Sequence, residues 1–258
     1  MPDVSSAEAA SGGARLSTHR TAARLAGELP LSPVERLVMI ACGFIPLLHL
    51  LATLMPLALT LGGRADRRTL ALMPAALYVM PPLIVRVCTW IRPLPSGAVP
   101  VGSDAFLLWW FTAQWQVLFA RLPFLEELLR VVPALYSLWL RLWGSQIGRL
   151  VYWSPGVAVT DRSLVRIGDR VVFGLGVRLS AHVIAPSAEG RNTLYLAPVA
   201  IGRDSLVGGY SLLLAGCEIA PGQATPPFRT LHPFTRWSNG RRVAVEHSPL
   251  VSSPEDGR

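Results

Sequence analysis

The sequence predicts an α + β chain in two parts: apolar N-terminal helices, then a short solenoid of parallel strands. Three observations carry this. A six-residue beat of large apolar residues runs between Ile147 and Ala224, and neither a helix nor an alternating strand has that period. A fixed short period means one strand and one turn repeated, each coil stacked on the last. Finally, the chain is 51% hydrophobic with a mean hydropathy of +0.41, and the apolar excess lies before residue 145.

Residues 1–34 are rich in Ala, Ser, Gly and Arg, lack aromatics, and read as a disordered tail. The first apolar run starts too late for a secretory leader. Leu37–Leu61 carries one His and no formal charge, and at about 1.5 Å per residue it spans a hydrocarbon core of about 30 Å. Thr69–Val85 is also uncharged and is closed by Arg86, Trp90 and Arg92. That suits a second span, over 69–91, with Arg86 snorkelling and Trp90 in the aromatic belt. The next stretch, to Trp143, mixes Trp and Leu with Glu126, Glu127, Arg130 and Arg141. It is expected to lie in the interface plane, its tryptophans serving as anchors. Residues 35–146 are thus read as transmembrane and interfacial helices.

The solenoid is expected over 147–225. Ile147, Trp153 and Val159 open the beat. After a slip of two residues come Ile167, Phe173 and Leu179; after a longer insertion come Tyr195, Ile201, Val207, Leu213 and Ile219. Four positions after most of these stands a small or β-branched residue. Three hexads make a triangular coil, so three to four coils are expected. The interruption at 185–194 must bulge out as a loop. The beat fades at Thr225-Pro226-Pro227, and 226–258 reads as a wrapping segment and a disordered tail.

All 24 basic residues are arginine and the net charge is +8. The absence of lysine excludes a Walker-type phosphate loop and any Schiff-base or Ser–Lys mechanism. The arginines flank apolar stretches, which suits anionic lipid headgroups better than nucleic acid. Cys42, Cys88 and Cys217 are far apart and read as small apolar residues, with no disulfide or zinc pattern. No metal is expected.

Of the histidines, only His182 sits within a coil, at the turn before the interruption. Neutral imidazole suits a general base near pH 7. The Gly-rich turn Gly208-Gly209-Tyr210 offers backbone N–H groups for an oxyanion or donor. Asp161 and Asp169 sit at turns, where capping is the ordinary role of Asp and acceptor contact is the alternative. In the interruption, Glu189 and Arg191 are candidates to bind acceptor or orient His182.

The run Arg141-Leu142-Trp143-Gly144-Ser145-Gln146-Ile147-Gly148, then Asp161, Ile167-Gly168-Asp169, His182, Ile201-Gly202 and Val207-Gly208, resembles the hexapeptide-repeat acyltransferases. It is similar in particular to the membrane-bound domains at the C-terminal end of poly-lysine-type peptide synthetases, and to colanic-acid-type acetyltransferases. The likeness covers roughly 105–240. It departs after His182, where Val183-Ile184-Ala185-Pro186 replaces an acidic pair, and at Trp237-Ser-Asn-Gly240, a reduced closing motif. The resemblance implies a left-handed parallel β-helix, a homotrimer with sites between subunits, and His182 as general base. It implies an acyl-CoA or a carrier-protein phosphopantetheine thioester as donor. The expected function is transfer of an acyl group to a hydroxyl or amine by an integral membrane protein whose solenoid is cytoplasmic, where thioester donors are found. One alternative is an amide-forming condensation module working with a carrier protein or peptide synthetase. Another is a non-catalytic trimeric membrane scaffold.

Overall fold

The computed structural model describes residues 31–187 and 192–244. Helix α1, Pro33–Gly43, starts at a capping box in which Ser32 and Glu35 satisfy each other's backbone N–H groups. After Phe44 it runs on into α2, Ile45–Leu61. A second helical stretch returns through short 3₁₀ and π turns to α3, Met80–Ile91. Pro33–Leu61 and Arg67–Ile91 are both long and apolar enough to cross a membrane, and they contain the spans expected at 37–61 and 69–91.

The prolines of α3 have an identifiable compensation. Pro81 and Pro82 lack N–H donors, which frees the carbonyls four residues earlier, at Leu77 and Tyr78. The Leu77 carbonyl accepts from His49 Nε2 at 3.2 Å, and the Tyr78 carbonyl from Trp139 Nε1 at 2.8 Å. Side chains of neighbouring helices thus give both freed carbonyls a donor.

Strand β1, Gly97–Pro100, leads to four helices: α4 Asp104–Gln114, α5 Val117–Arg121, α6 Phe124–Arg130 and α7 Leu135–Leu142. Here the structure corrects the expectation. Trp109, Trp139 and Trp143 are buried with Phe106, Phe119 and Tyr136, so they are core residues, not interfacial anchors. One apolar cluster runs from Val85 through Trp139 and Trp143 into the coils. The physical reason is the open end of the solenoid, whose first coil would otherwise leave its apolar interior uncovered. Trp90, in the last turn of the second apolar helix, is by contrast 81% exposed.

The solenoid is three-sided. The first coil supplies β2 Gln146–Ile147, β3 Tyr152–Trp153 and β4 Ala158–Thr160. The second supplies β5 Val165–Ile167, β6 Val172–Phe173 and β7 Arg178–Ser180. A hairpin, β8 His182–Pro186 and β9 Asn192–Leu196, then interrupts. The third coil resumes with β10 Val199–Ile201, β11 Leu206–Val207 and β12 Leu212–Leu213. Next come β13 Glu218–Ile219, β14 Thr230–Leu231, β15 Thr235–Ser238 and β16 Arg241–Ala244. The three sides are the parallel ladders β2-β5-β10-β13-β15, β3-β6-β11 and β4-β7-β12-β14. The antiparallel β16 closes the free edge of the first ladder.

The beat residues point inward, as expected. Ile147, Ile167, Ile201 and Ile219 stack on one side, and Val159, Leu179 and Leu213 on another. Trp153 lies flat on Phe173 at 4.6 Å. Burying each Leu or Ile contributes about 1.5–3 kcal/mol. The Ile-Gly pairs follow from coil spacing: a Cβ at Gly148, Gly168 or Gly202 would lie 2.4–2.5 Å from the backbone of the next coil.

Three details differ from the sequence reading. Tyr195 falls on the beat, yet it belongs to β9 and pairs with β1 and β8 outside the coils. The interruption is no simple loop at 185–194: its described residues form two antiparallel strands, β8 and β9, completed by β1 into a three-stranded sheet. The coils also continue past 225. Leu231 stacks on Leu213, and Trp237 on Ile219, each 18 residues on in the sequence. Only the prolines at 226 and 227, which obscure one repeat, made this segment look like wrapping.

Candidate functional site

At the corner between the third and first sides, a coil of 20 residues separates Thr160 from Ser180 in the pairing of β4 with β7. Asp161 and His182 follow these two strands and therefore meet. Asp161 adopts φ 52°, a left-handed conformation that Asp tolerates, and its carboxylate is buried. Its Oδ2 lies 2.5 Å from His182 Nδ1. Its Oδ1 accepts from Trp109 Nε1 at 2.8 Å. The indole also packs against the imidazole, with ring centroids 4.9 Å apart.

This arrangement selects a tautomer. A carboxylate facing Nδ1 makes Nδ1 the protonated nitrogen and leaves the Nε2 lone pair as the basic site. The His182 side chain is 31% exposed. Burial on its own depresses the imidazole pKa. The hydrogen bond and charge of Asp161 outweigh it and hold the pKa above the ordinary histidine value.

The helices fix this corner from behind. Trp109 lies on α4, and Gln116 between α4 and α5 accepts from the Arg162 backbone N–H at 2.8 Å. The buried Arg162 guanidinium pairs with Glu126 on α6, which also accepts from Tyr136 at 2.5 Å. Phe119, Trp139 and Trp143 surround that guanidinium at 5.5–5.6 Å. Taking one partner from such a buried pair leaves an uncompensated charge, so the cluster pins Asp161's neighbour in place.

Of the expected site residues, the structure joins Asp161 to His182 through the Oδ2–Nδ1 contact, a partner that neither the turn-capping nor the acceptor-contact reading of Asp161 included. Asp169 acts as a turn cap, accepting from the Arg149 N–H at 2.6 Å. Gly208, Gly209 and Tyr210 lie at a different corner, between the second and third sides. The Gly208 N–H is taken by Thr225 Oγ1 and the Tyr210 N–H by the Leu175 carbonyl. A site within one chain therefore does not combine them with His182. Glu189, Arg191 and His247 lie outside the described residues. His232 is exposed at the same edge of the prism as His182, on a later coil.

Trp109 escaped the sequence reading, and Asp161 was named there without its partner. That pairing was recoverable: the two-residue slip lengthens the first coil to 20, and 21 residues separate Asp161 from His182. Trp109 was not, because it reaches the site from a helix 52 residues earlier in the chain. Among the described residues no group of three His, Cys, Asp or Glu is placed to hold a metal ion.

No family model matches the chain, and no curated protein does. Several solved structures resemble it. A maltose O-acetyltransferase from Clostridium difficile is 14% identical with a TM-score of 0.33, covering 50% of this chain and 86% of that one. A hexapeptide-repeat acetyltransferase from Vibrio cholerae, complexed with acetyl coenzyme A, is 15% identical with a TM-score of 0.32, covering 55% and 91%. A serine acetyltransferase from Neisseria gonorrhoeae is 14% identical with a TM-score of 0.24, covering 92% and 91%. The three-sided coil of this chain rests on its own strand pairing.

Proposed function

We propose that the chain is a membrane-anchored acyltransferase of the hexapeptide-repeat type, with His182 as its general base. The single observation that carries this reading is the Trp109–Asp161–His182 relay, which orients a partly exposed imidazole at a solenoid corner. Neutral His182 accepts the proton of an acceptor hydroxyl or amine at Nε2. The acceptor atom bonds to the carbonyl carbon of a thioester, the carbon–sulfur bond breaks, and the proton passes from the imidazolium to the departing thiolate. The donor in this reading is an acyl-CoA, with a carrier-protein thioester as the alternative. The coils are those of a left-handed β-helix facing the cytoplasm.

A homotrimer completes the proposal. Leu175, Tyr210 and Phe228 stand exposed at the corner of the Gly208-Gly209-Tyr210 turn, and the Tyr210 and Phe228 rings stack at 5.4 Å. An exposed aromatic cluster of this kind suits a second copy, and three heterologous contacts close a ring. The turn of one subunit would then approach His182 of the next. Of the three residues, Gly209 alone has an N–H without a partner among the described residues.

The test is the full chain purified in detergent, supplied with a panel of acyl-CoA and carrier-protein thioesters and followed by mass spectrometry. Thiol release with a mass gain on the acceptor supports the reading. Release of an amide from a tethered aminoacyl donor alone would favour the condensation module. No transfer from any donor would favour the scaffold.

A further inference from the structure

A second cleft, remote from the His182 corner in its lining residues, lies between helices α6 and α7 and the first coil. Its volume is about 650 Å³, within the range of small-molecule sites. Its lining is sharply divided. Arg130, Arg141 and Arg149 supply cationic groups, and no carboxylate lines it. Tyr136 and Trp153 form an aromatic floor, and Val132 and Leu150 an apolar rim.

The three arginines are not equivalent. Arg130 is neutralised by Glu126 and Glu127. Arg141 is held by two carbonyls, Ile147 O and Gly148 O, each at 2.9 Å, so its position is fixed while its charge has no acidic partner among the described residues. The exposed Arg149 side chain likewise has no acidic partner among the described residues. Two uncompensated guanidinium groups beside an apolar rim call for an anion that carries an apolar chain.

One lining residue, Arg141, is also tied to the second apolar helix. Arg86, near the end of that helix, donates to the Arg141 carbonyl at 2.8 Å. Phe124, Leu128 and Leu138 on the adjoining helices, and Val131 just after the first of them, are all more than half exposed. These exposed side chains offer an apolar surface to the chain of such a ligand.

We propose that this cleft binds a phosphate ester bearing an apolar chain, drawn from the bilayer, with Arg141 and Arg149 on the phosphate and Val132 and Leu150 on the chain. The bilayer as source rests on the membrane reading above; the binding chemistry does not depend on acyl transfer.

The test is native mass spectrometry of the full chain in detergent. Its probes are phosphatidic acid, diacylglycerol with the same tails, and glycerol 3-phosphate. Phosphatidic acid should be retained in preference to the other two. Arg149→Gln should weaken retention about tenfold, the loss of one charge-assisted hydrogen bond. Val132→Asp, which puts a like charge at the rim, should weaken it at least as much. Both side chains are exposed, so melting temperatures should stay at the wild-type value. Equal retention of diacylglycerol, equally tight glycerol 3-phosphate, or undiminished retention in both variants overturns the assignment. Because the readout is binding, a chain that transfers no acyl group leaves this test intact.

Discussion

Asp161→Asn separates an oriented base from a merely buried histidine. The substitution is isosteric, and the Asn carbonyl oxygen can keep the 2.8 Å bond from Trp109. The other end of the side chain then changes from acceptor to donor. Its NH₂ faces His182 Nδ1, where the carboxylate now stands at 2.5 Å. Nδ1 must then accept, which moves the ring proton to Nε2, the nitrogen that has to act as base. Losing a positioned general base costs about 10²–10⁴ in rate. The fold should survive, since volume is unchanged. The assay is initial thiol release, with thermal unfolding run in parallel. His182→Ala should lose a similar factor, and the double variant no more than either alone, because groups acting as one unit are not additive. Residual activity in Asp161→Asn should also show its acid limb at lower pH, since burial then acts on the imidazole without the carboxylate. A rate within about threefold of wild type would refute the orienting role.

Other outcomes follow from the same geometry. Because the folded pKa of His182 is raised, its ion pair with Asp161 contributes stability that is fully present below the unfolded value of about 6.5 and is lost as pH rises through the folded value. His182→Ala should therefore flatten that part of the stability–pH profile, as read by thermal melts. Leu213→Ala removes a fully buried side chain from the third coil and should cost about 2–5 kcal/mol in denaturant unfolding. Gly168→Ala places a Cβ 2.5 Å from the Arg203 backbone and should cost about 1–3 kcal/mol, although the residue is small on both sides of the change. Carbonate washing should leave the chain in the membrane pellet, and its release would count against the spans.

The repeat was legible because each coil imposes the same demand: an inward apolar residue, then a small residue where the backbone of the next coil passes. Ile167-Gly168 and Ile201-Gly202 carry that demand openly. It fails where another element answers it. Tyr195 keeps the beat by chance, its burial coming from hairpin packing against Phe234. Trp237 resumes the stack after a break that hid it. The helical cap misled for a different reason. Trp and Arg together suit an interface plane, but Trp139, Trp143 and Arg162 pack against one another inside the molecule through cation–π contact, with Arg162 paired to Glu126. His182 was readable as the one histidine within the repeat visible over 147–225, although the structure places His232 on a later coil as well. Its partners were less so, since Asp161 required counting the coil length and Trp109 arrives only through tertiary packing.

The most direct measurement compares acyl transfer by the detergent-purified wild type, His182→Ala and His232→Ala under one donor and acceptor. His182→Ala should fall about 10²–10⁴-fold with its melting curve intact. His232→Ala, changed at an exposed residue on the same edge, should keep a near-normal rate. Full activity in His182→Ala with loss in His232→Ala would contradict the central claim and move the reacting centre to the last coils.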